Sequence, residues 1–270
     1  MYIDTHCHLN IMVKDRFDIP LTENDYKLAQ TIIDDASKHQ VNILINVGTS
    51  LTESLNCVEL AKRFTHNYAV IGIHPNDITS DWQQELKELD KLARNKEALK
   101  IVGIGECGMD FHYPDYSVQT QKDVFRAQIE LALTHDLALV VHTRDAPDET
   151  LSVLEEYRKD ITRGIIHCFS EDAAFAKQVI AWNMAIGLGG TITYPKNNAL
   201  REIAQTTELN AIVLETDAPY LPPQTLRGKK NSPANIPLIG AFIAELKQIP
   251  VAQVMQQTTL TAKRIFKLHG

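Results

Sequence analysis

The sequence predicts an α/β protein folded as a single-domain (β/α)8 barrel. Short β-branched runs alternate with longer segments of helical periodicity, and the runs number eight. Six of them lead into His8, His74, Glu106, His142, His167 and Asp217, polar residues that converge only if the strands form a ring. At 270 residues and 44% hydrophobic content, the chain has the size of one large domain with a substantial core. A doubly wound open sheet competes on periodicity alone, since both folds bury parallel strands as uniform apolar runs. The polar strand ends decide for the ring.

The eight runs are Tyr2-Thr5, Ile43-Val47, Ala69-Ile73, Ile101-Gly105, Ala138-Val141, Gly164-Ile166, Met184-Leu188 and Ile212-Leu214. Helices are expected over 25–39, 51–64, 82–95, 118–135, 147–159, 171–182 and 197–207, with 235–248 and 251–268 after the last strand. Ser50, Ser80, Ser117 and Ser170 stand where helix N-caps belong. No repeat or low-complexity linker divides the chain. The Pro-rich stretch from Pro219 to Pro237 reads as an ordered loop after strand eight, on the face where barrels of this kind carry their active sites.

Composition removes several function classes. A net charge of -7 excludes a globally basic surface for gripping long nucleic acid, so any phosphate affinity has to be local. No stretch approaches the roughly 20 apolar residues of a membrane span, and the N-terminus lacks a basic-then-apolar leader. The four cysteines, Cys7, Cys57, Cys107 and Cys168, lack any C-x-x-C spacing and read as unpaired thiols. A soluble protein of the reducing cytoplasm, without membrane partners and monomeric, is expected.

Alternate residues of a strand share a face, so His6 and His8 are expected to point inward together and hold one metal ion. Asp4 shares their parity one layer deeper, where it would hydrogen-bond an imidazole. The same alternation on the fourth strand sends Val102, Ile104 and Glu106 inward. A bare buried carboxylate there would be costly, and a glutamate bridging two cations removes the cost. His142, His167 and Asp217 end later strands on the same side. Four imidazoles and two carboxylates suit Zn2+, Mn2+ or Co2+ better than the oxygen-preferring Mg2+ and Ca2+. Cys7, Cys107 and Cys168 are expected to face away, between barrel and helices. His39, His66, His135 and His269 fall on or beside helices, solvated.

These residues resemble the TatD-like metal-dependent deoxyribonucleases of the amidohydrolase superfamily along almost the whole chain. Asp4-Thr5-His6-Cys7-His8-Leu9 looks like the family's opening motif, Gly72-Ile73-His74-Pro75 its second, and Gly105-Glu106-Cys107-Gly108-Met109-Asp110 its glutamate motif. His142-Thr143-Arg144, His167-Cys168-Phe169-Ser170 and Leu214-Glu215-Thr216-Asp217-Ala218-Pro219-Tyr220-Leu221 follow in family order. The resemblance implies one metal on His6, His8, Glu106 and Asp217, a second on Glu106, His142 and His167, and hydrolysis of DNA phosphodiesters, commonly as a 3'-to-5' exonuclease favouring single strands. It also implies phosphate contact by the basic loop Arg227-Gly228-Lys229-Lys230-Asn231-Ser232-Pro233. The chain departs from the family at Glu171, where glycine is usual, at Cys107, where an aliphatic residue is commoner, and at Thr261, where asparagine is.

Two divalent cations, Zn2+, Mn2+, Co2+ or Mg2+, would acidify a water to supply hydroxide at neutral pH. Asp217 is the expected acceptor of its proton, Glu106 the bridge, and His74 a contact to phosphate or the donor to the leaving oxygen. Asp110 and Glu215 are expected to orient ligands or loops. Arg144, two residues beyond His142, and Arg227 and Lys229 are expected to grip phosphate; a structural ion pair is the alternative for Arg144. DNA, as single strands or 3' ends, is the expected partner. An amidohydrolase attacking a cyclic amide or lactone is the rival enzyme, and an inactive binding barrel the rival of another class. Several such amidohydrolases bridge their metals with a modified lysine late on strand four, whereas Lys100 lies at its start.

Overall fold

The structure, a computed structural model, describes residues 1–14 and 16–268. Eight parallel strands follow in sequence order: β1 (Tyr2–Cys7), β2 (Val41–Val47), β3 (Asn67–Ile71), β4 (Ile101–Asp110), β5 (Ala138–Arg144), β6 (Gly164–Ile166), β7 (Met184–Leu188) and β8 (Ile212–Leu214). Cys7 bridges to Ala218, just past β8. The amide of His8 donates to the Ala218 carbonyl at 2.8 Å and that of Asp217 to the His6 carbonyl at 2.9 Å. These bonds join the first strand to the segment after the last and bring the sheet round into the expected barrel.

The helices are α1 (Leu9–Met12), α2 (Glu23–Lys38), α3 (Leu51–Arg63), α4 (Trp82–Ala93), α5 (Lys96–Leu99), α6 (Val118–Thr134), α7 (Pro147–Glu156), α8 (Ala173–Ala181), α9 (Asn198–Thr206), α10 (Ile236–Lys247) and α11 (Val251–Phe266). Ser50 and Ser117 cap α3 and α6 as expected, accepting from the amides of Glu53 and Thr120. Ser80 and Ser170 do not cap. α4 starts one residue later, after Asp81, and α8 starts after Asp172, whose carboxylate takes the Phe175 amide at 2.8 Å. No single helix among the described residues is long and apolar enough to cross a membrane.

Two apolar layers sandwich the strands. The inner one takes a residue from each of seven strands, Ile3, Ile45, Val70, Val140, Ile165, Ala185 and Val213, with the partly buried Val102 of β4. Ala262, Ile265 and Phe266 of α11 join them, so the C-terminal helix closes the barrel floor and leaves the strands' carboxyl ends open. The outer layer, with Leu44, Ile71, Ile104, Leu139, Ile166, Ile186 and Leu214, packs on the helices.

Strict alternation fails on β1 and β4. Asp4 pairs with Leu44 and Cys7 with Asn46, so Thr5 and His6 together stand opposite Ile45. Ile104 pairs with Leu139 and Cys107 with Val141, so Gly105 and Glu106 stand opposite Val140. A further slip between Ala69 and Val70 makes Val102 the extra residue at the base of β4. Ile104 is therefore an outer-layer residue, contrary to the inward position expected of it. Each bulge inserts one residue and resets which side chains face in.

Cys7 and Cys107 lie in the outer layer as expected, but Cys168 does not. It is part-exposed in a left-handed conformation (φ 47°), because its chain turns sharply after β6. His135 is not solvated either; its Nε2 sits 2.7 Å from Asp90. His39 and His66 are exposed, and His269 lies outside the described residues.

Candidate metal centre

At the open end, Glu106 is the hub. Its Oε2 faces His6 Nε2 at 3.3 Å and His8 Nε2 at 3.8 Å. Its Oε1 faces His142 Nδ1 at 2.8 Å, His167 Nε2 at 2.9 Å and His74 Nε2 at 3.7 Å. Asp217 Oδ1 stands 3.2 Å from His8 Nε2 and 3.8 Å from His6 Nε2. The six residues expected as ligands thus meet at one point, although their strands are spread over the ring.

Local structure explains the convergence. The β1 and β4 bulges aim His6 and Glu106 inward. β4 and β5 run past the barrel rim to Asp110 and Arg144, which puts Glu106 and His142 inside strands rather than just after them. Gly105 (φ +147°) and Gly108 (φ +142°) permit this overhang: a Cβ on them would lie 2.4 Å from the Val140 carbonyl oxygen and 2.0 Å from that of His142. Asp217 takes the left-handed conformation (φ 55°), which turns its carboxylate back over the mouth.

The buried charges call for a cation. Burial pulls His8 down, yet Asp217 and Glu106 outweigh it and hold the imidazole above its ordinary pKa. For His142 the same opposition ends in a raised value, through Asp110 and Glu106, and for His167 in a strongly raised one, mainly through Glu106. Burial would raise Glu106 and Asp217, but the imidazoles bring both below the usual carboxylate range. A positive charge is favoured at these points, from protons or from metal.

The tautomers favour metal. His8 Nδ1 lies 2.9 Å from the Val47 carbonyl oxygen, which can only accept, so that nitrogen carries the proton. Its Nε2 is then a free lone pair aimed at two carboxylates and, at 3.3 Å, at His6 Nε2. Among the described residues, two His–His–Glu groups with mutually close donor atoms contain Glu106, His6–His8–Glu106 and Glu106–His142–His167, and two further groups, His6–His167–Glu215 and His74–Asp110–His142, share histidines with them. Donor type and orientation both fit divalent cations.

Neighbouring acids brace the imidazoles. Asp110 Oδ2 holds His142 Nε2 at 3.0 Å, and Glu215 Oε1 lies 3.5 Å from His167 Nδ1. Asp4 departs from its expected role. Its carboxylate takes the amides of His6 (3.2 Å) and Thr216 (3.0 Å) and the Thr216 hydroxyl (2.5 Å), and among the described residues it hydrogen-bonds no imidazole. Next to inward Ile3 and ahead of the bulge, it lies on Leu44's outer side of the ladder, where it stitches β1 to the segment after β8.

The three expected phosphate-binding residues lie exposed on the rim, outside the cluster. Arg144 forms no ion pair among the described residues; its guanidinium lies 5.9 Å from the Tyr113 ring centre. Arg227 lies 4.6 Å from that of Tyr194. Lys229 shares Arg227's loop, which is ordered by the buried Asn231: its Nδ2 donates to the Thr216 carbonyl at 2.7 Å and its Oδ1 accepts from Asn235 at 2.9 Å. Sequence reasoning missed the rim aromatics, though Phe111-His112-Tyr113-Pro114-Asp115-Tyr116 packs them visibly beside the glutamate motif. It also missed His112, whose Nδ1 meets Asp145 at 3.1 Å.

The model of the TatD-related DNases matches residues 3–267. The chain belongs to that family. It is 31% identical to the metal-dependent hydrolase YabD of Bacillus subtilis over the full length of both. Among solved structures, the TatD homologue YjjV of Escherichia coli superposes with a TM-score of 0.87 at 26% identity, covering 99% of this chain and 98% of that one. An amidohydrolase from Saccharomyces cerevisiae (TM-score 0.81, 19% identity, 98% and 99% covered) shares the fold. This TatD-family protein is a metal-dependent hydrolase.

Proposed function

We propose that this TatD-family hydrolase cleaves phosphodiester bonds of DNA, working from single-stranded 3' ends with two divalent cations. The observation that carries the two-cation reading is the division of Glu106, one oxygen toward His6 and His8 and the other toward His142 and His167. His6, His8, Asp217 and Glu106 would hold one cation, and Glu106, His142 and His167 the other. Cations bound there acidify water and offset the charge that builds on a phosphate under attack.

The protein's own residues supply the rest. Asp217, ionised and at the rim of the cluster, is placed to orient a water and accept its proton. His74 Nδ1 accepts the Asn76 amide at 3.1 Å, which leaves its proton on Nε2, the nitrogen that faces Glu106. Burial and the neighbouring His142 push His74 down to about 3, so it is a neutral hydrogen-bond donor to a phosphate oxygen. That favours contact with phosphate over protonation of the leaving group.

The lactone and amide reading loses support at Lys100. Its Nζ donates to the carbonyls of Phe64 and Thr65 at 3.0 and 2.9 Å, at the floor end of β4 and remote from the hub. The test is degradation of labelled single- and double-stranded oligonucleotides across Mg2+, Mn2+ and Zn2+, with and without chelator. His6→Ala and Glu106→Ala should lose metal and hydrolysis while remaining folded. Full activity in either variant would sink the site, and turnover of lactones or amides without nuclease activity would reverse the reading.

A further inference from the structure

The mouth carries aromatic and guanidinium groups on two sides. Beyond Asp110, Phe111 and Tyr116 stack with ring centres 4.5 Å apart and planes 10° from parallel. Next to them Tyr113 is 56% exposed, with Arg144 over its ring. After β7 and β8, Arg227 covers Tyr194, and Tyr220 is 43% exposed with its ring centre 6.0 Å from that of His8. β4 and β8 are four places apart in an eight-strand ring, so these walls face each other across the mouth.

Exposed tyrosines beside a polar, charge-dense cluster contribute little to folding, and a guanidinium resting on a ring leaves its outer edge free for an anion. Rings that alternate with cations along a groove match a strand whose bases stack and whose phosphates lie between them. A duplex cannot use them, because its base faces are already covered. Resting on the nuclease reading above, we propose that one DNA strand crosses the mouth with unpaired bases on Tyr113 and on Tyr220, on opposite sides of the cleaved phosphate, and with Arg144 and Arg227 on the flanking phosphates. The two tyrosines are specificity-determining residues for single strands.

The experiment pairs Tyr113→Ala, Tyr113→Phe and Tyr220→Ala with three substrates: a single-stranded oligodeoxynucleotide, its duplex, and the same single strand with one abasic site walked along it. Metal content and melting temperature are followed in each protein. Tyr113→Ala should raise KM on the intact strand by roughly 5- to 150-fold, the range for one stacked base, and Tyr113→Phe should restore it. At one abasic position wild type should lose the same factor, and there Tyr113→Ala should lose no more, because both changes remove one contact. Tyr220→Ala should couple in the same way to a position on the other side of the cut.

Losses that multiply at every abasic position, or an equal loss on duplex, would overturn the stacking assignment while leaving the nuclease reading intact. Wild-type protein that binds metal but cleaves no DNA would overturn both. Binding of a peptide at this rim with no response to abasic sites would replace the DNA strand with a different occupant.

Discussion

Lys14 and Glu53 form an ion pair that is out of solvent, with side-chain exposures of 3% and 1%. The ammonium reaches both carboxylate oxygens, at 2.7 and 2.9 Å, and also the Ile19 carbonyl at 2.9 Å. Glu53 accepts in addition from Asn10 (2.9 Å), Asn56 (3.1 Å) and the Asp18 amide (2.7 Å). One carboxylate thus ties α1, α3 and the loop between α1 and α2 together. Lys14→Met leaves that carboxylate buried without its cation, at a cost of about 3–5 kcal/mol. For a chain of this size each kcal/mol moves Tm by about 2–4 °C, so a fall of about 6 °C or more is expected by calorimetry. Lys14→Met with Glu53→Gln should recover part of it, since no charge is then stranded. Burial would raise Glu53, but its four donors bring it below the ordinary 4.5. Its ionised form therefore adds stability above that pH, and the advantage of wild type over Glu53→Gln should fade as pH falls below it. A Lys14→Met protein melting within about 2 °C of wild type, with no new proteolysis between residues 14 and 22, would refute the reasoning.

Gly108→Ala would drive a Cβ to 2.0 Å from the His142 carbonyl oxygen in a left-handed conformation; the expected loss exceeds about 3 kcal/mol in urea denaturation, and an unchanged midpoint would contradict it. Asp136 is held down to about 2 by Lys267 and Arg163, against an ordinary 3.8. The difference corresponds to about 2.5 kcal/mol if fully shielded, but with 57% of the side chain exposed, screening leaves about 1 kcal/mol or less. Asp136→Asn should therefore lower stability at pH 7, and the gap should close as pH falls from 4 towards 2; a gap independent of pH would count against the ion pairs. His74→Ala should lower kcat by about 100-fold with metal content unchanged, and because His74 titrates near 3 it should remove no limb of the pH profile above pH 5.

The barrel was legible because buried parallel strands are written as short β-branched runs, and all eight lie where those runs stand. Their ends were less so: β4 and β5 overshoot to Asp110 and Arg144 because Gly105 and Gly108 let the two backbones approach, a tertiary effect without periodic signal. The cluster residues were legible because polar groups at the ends of apolar runs are conspicuous. Lys14, Glu53, Asn10 and Asn56 were not, since each looks like an ordinary surface residue and only the fold brings Lys14 against Glu53, 39 positions away. Ser80 and Ser170 failed as caps for a local reason, an aspartate nearer each helix start taking the N-cap position.

Parity pointed His6 and Glu106 inward by a route the structure does not follow. Counting alternate residues from Ile3 sends Thr5 inward and His6 outward, and counting from Gly103 sends Gly105 inward and Glu106 outward. In both strands an extra residue opposite an inward side chain of the next strand, Ile45 or Val140, reverses the outcome. Asp4 and Ile104, which precede the insertions, keep the outward side that alternation from Ile3 and Gly103 gives them, and there Asp4 joins the strand to Thr216 rather than an imidazole. Bulges therefore do at β1 and β4 what regular pleating cannot: they keep an unbroken apolar column at the barrel floor and still turn the next polar residue into the mouth. A hub glutamate and its first histidine ligand, on strands three places apart in the ring, are aimed at each other by one repeated backbone device.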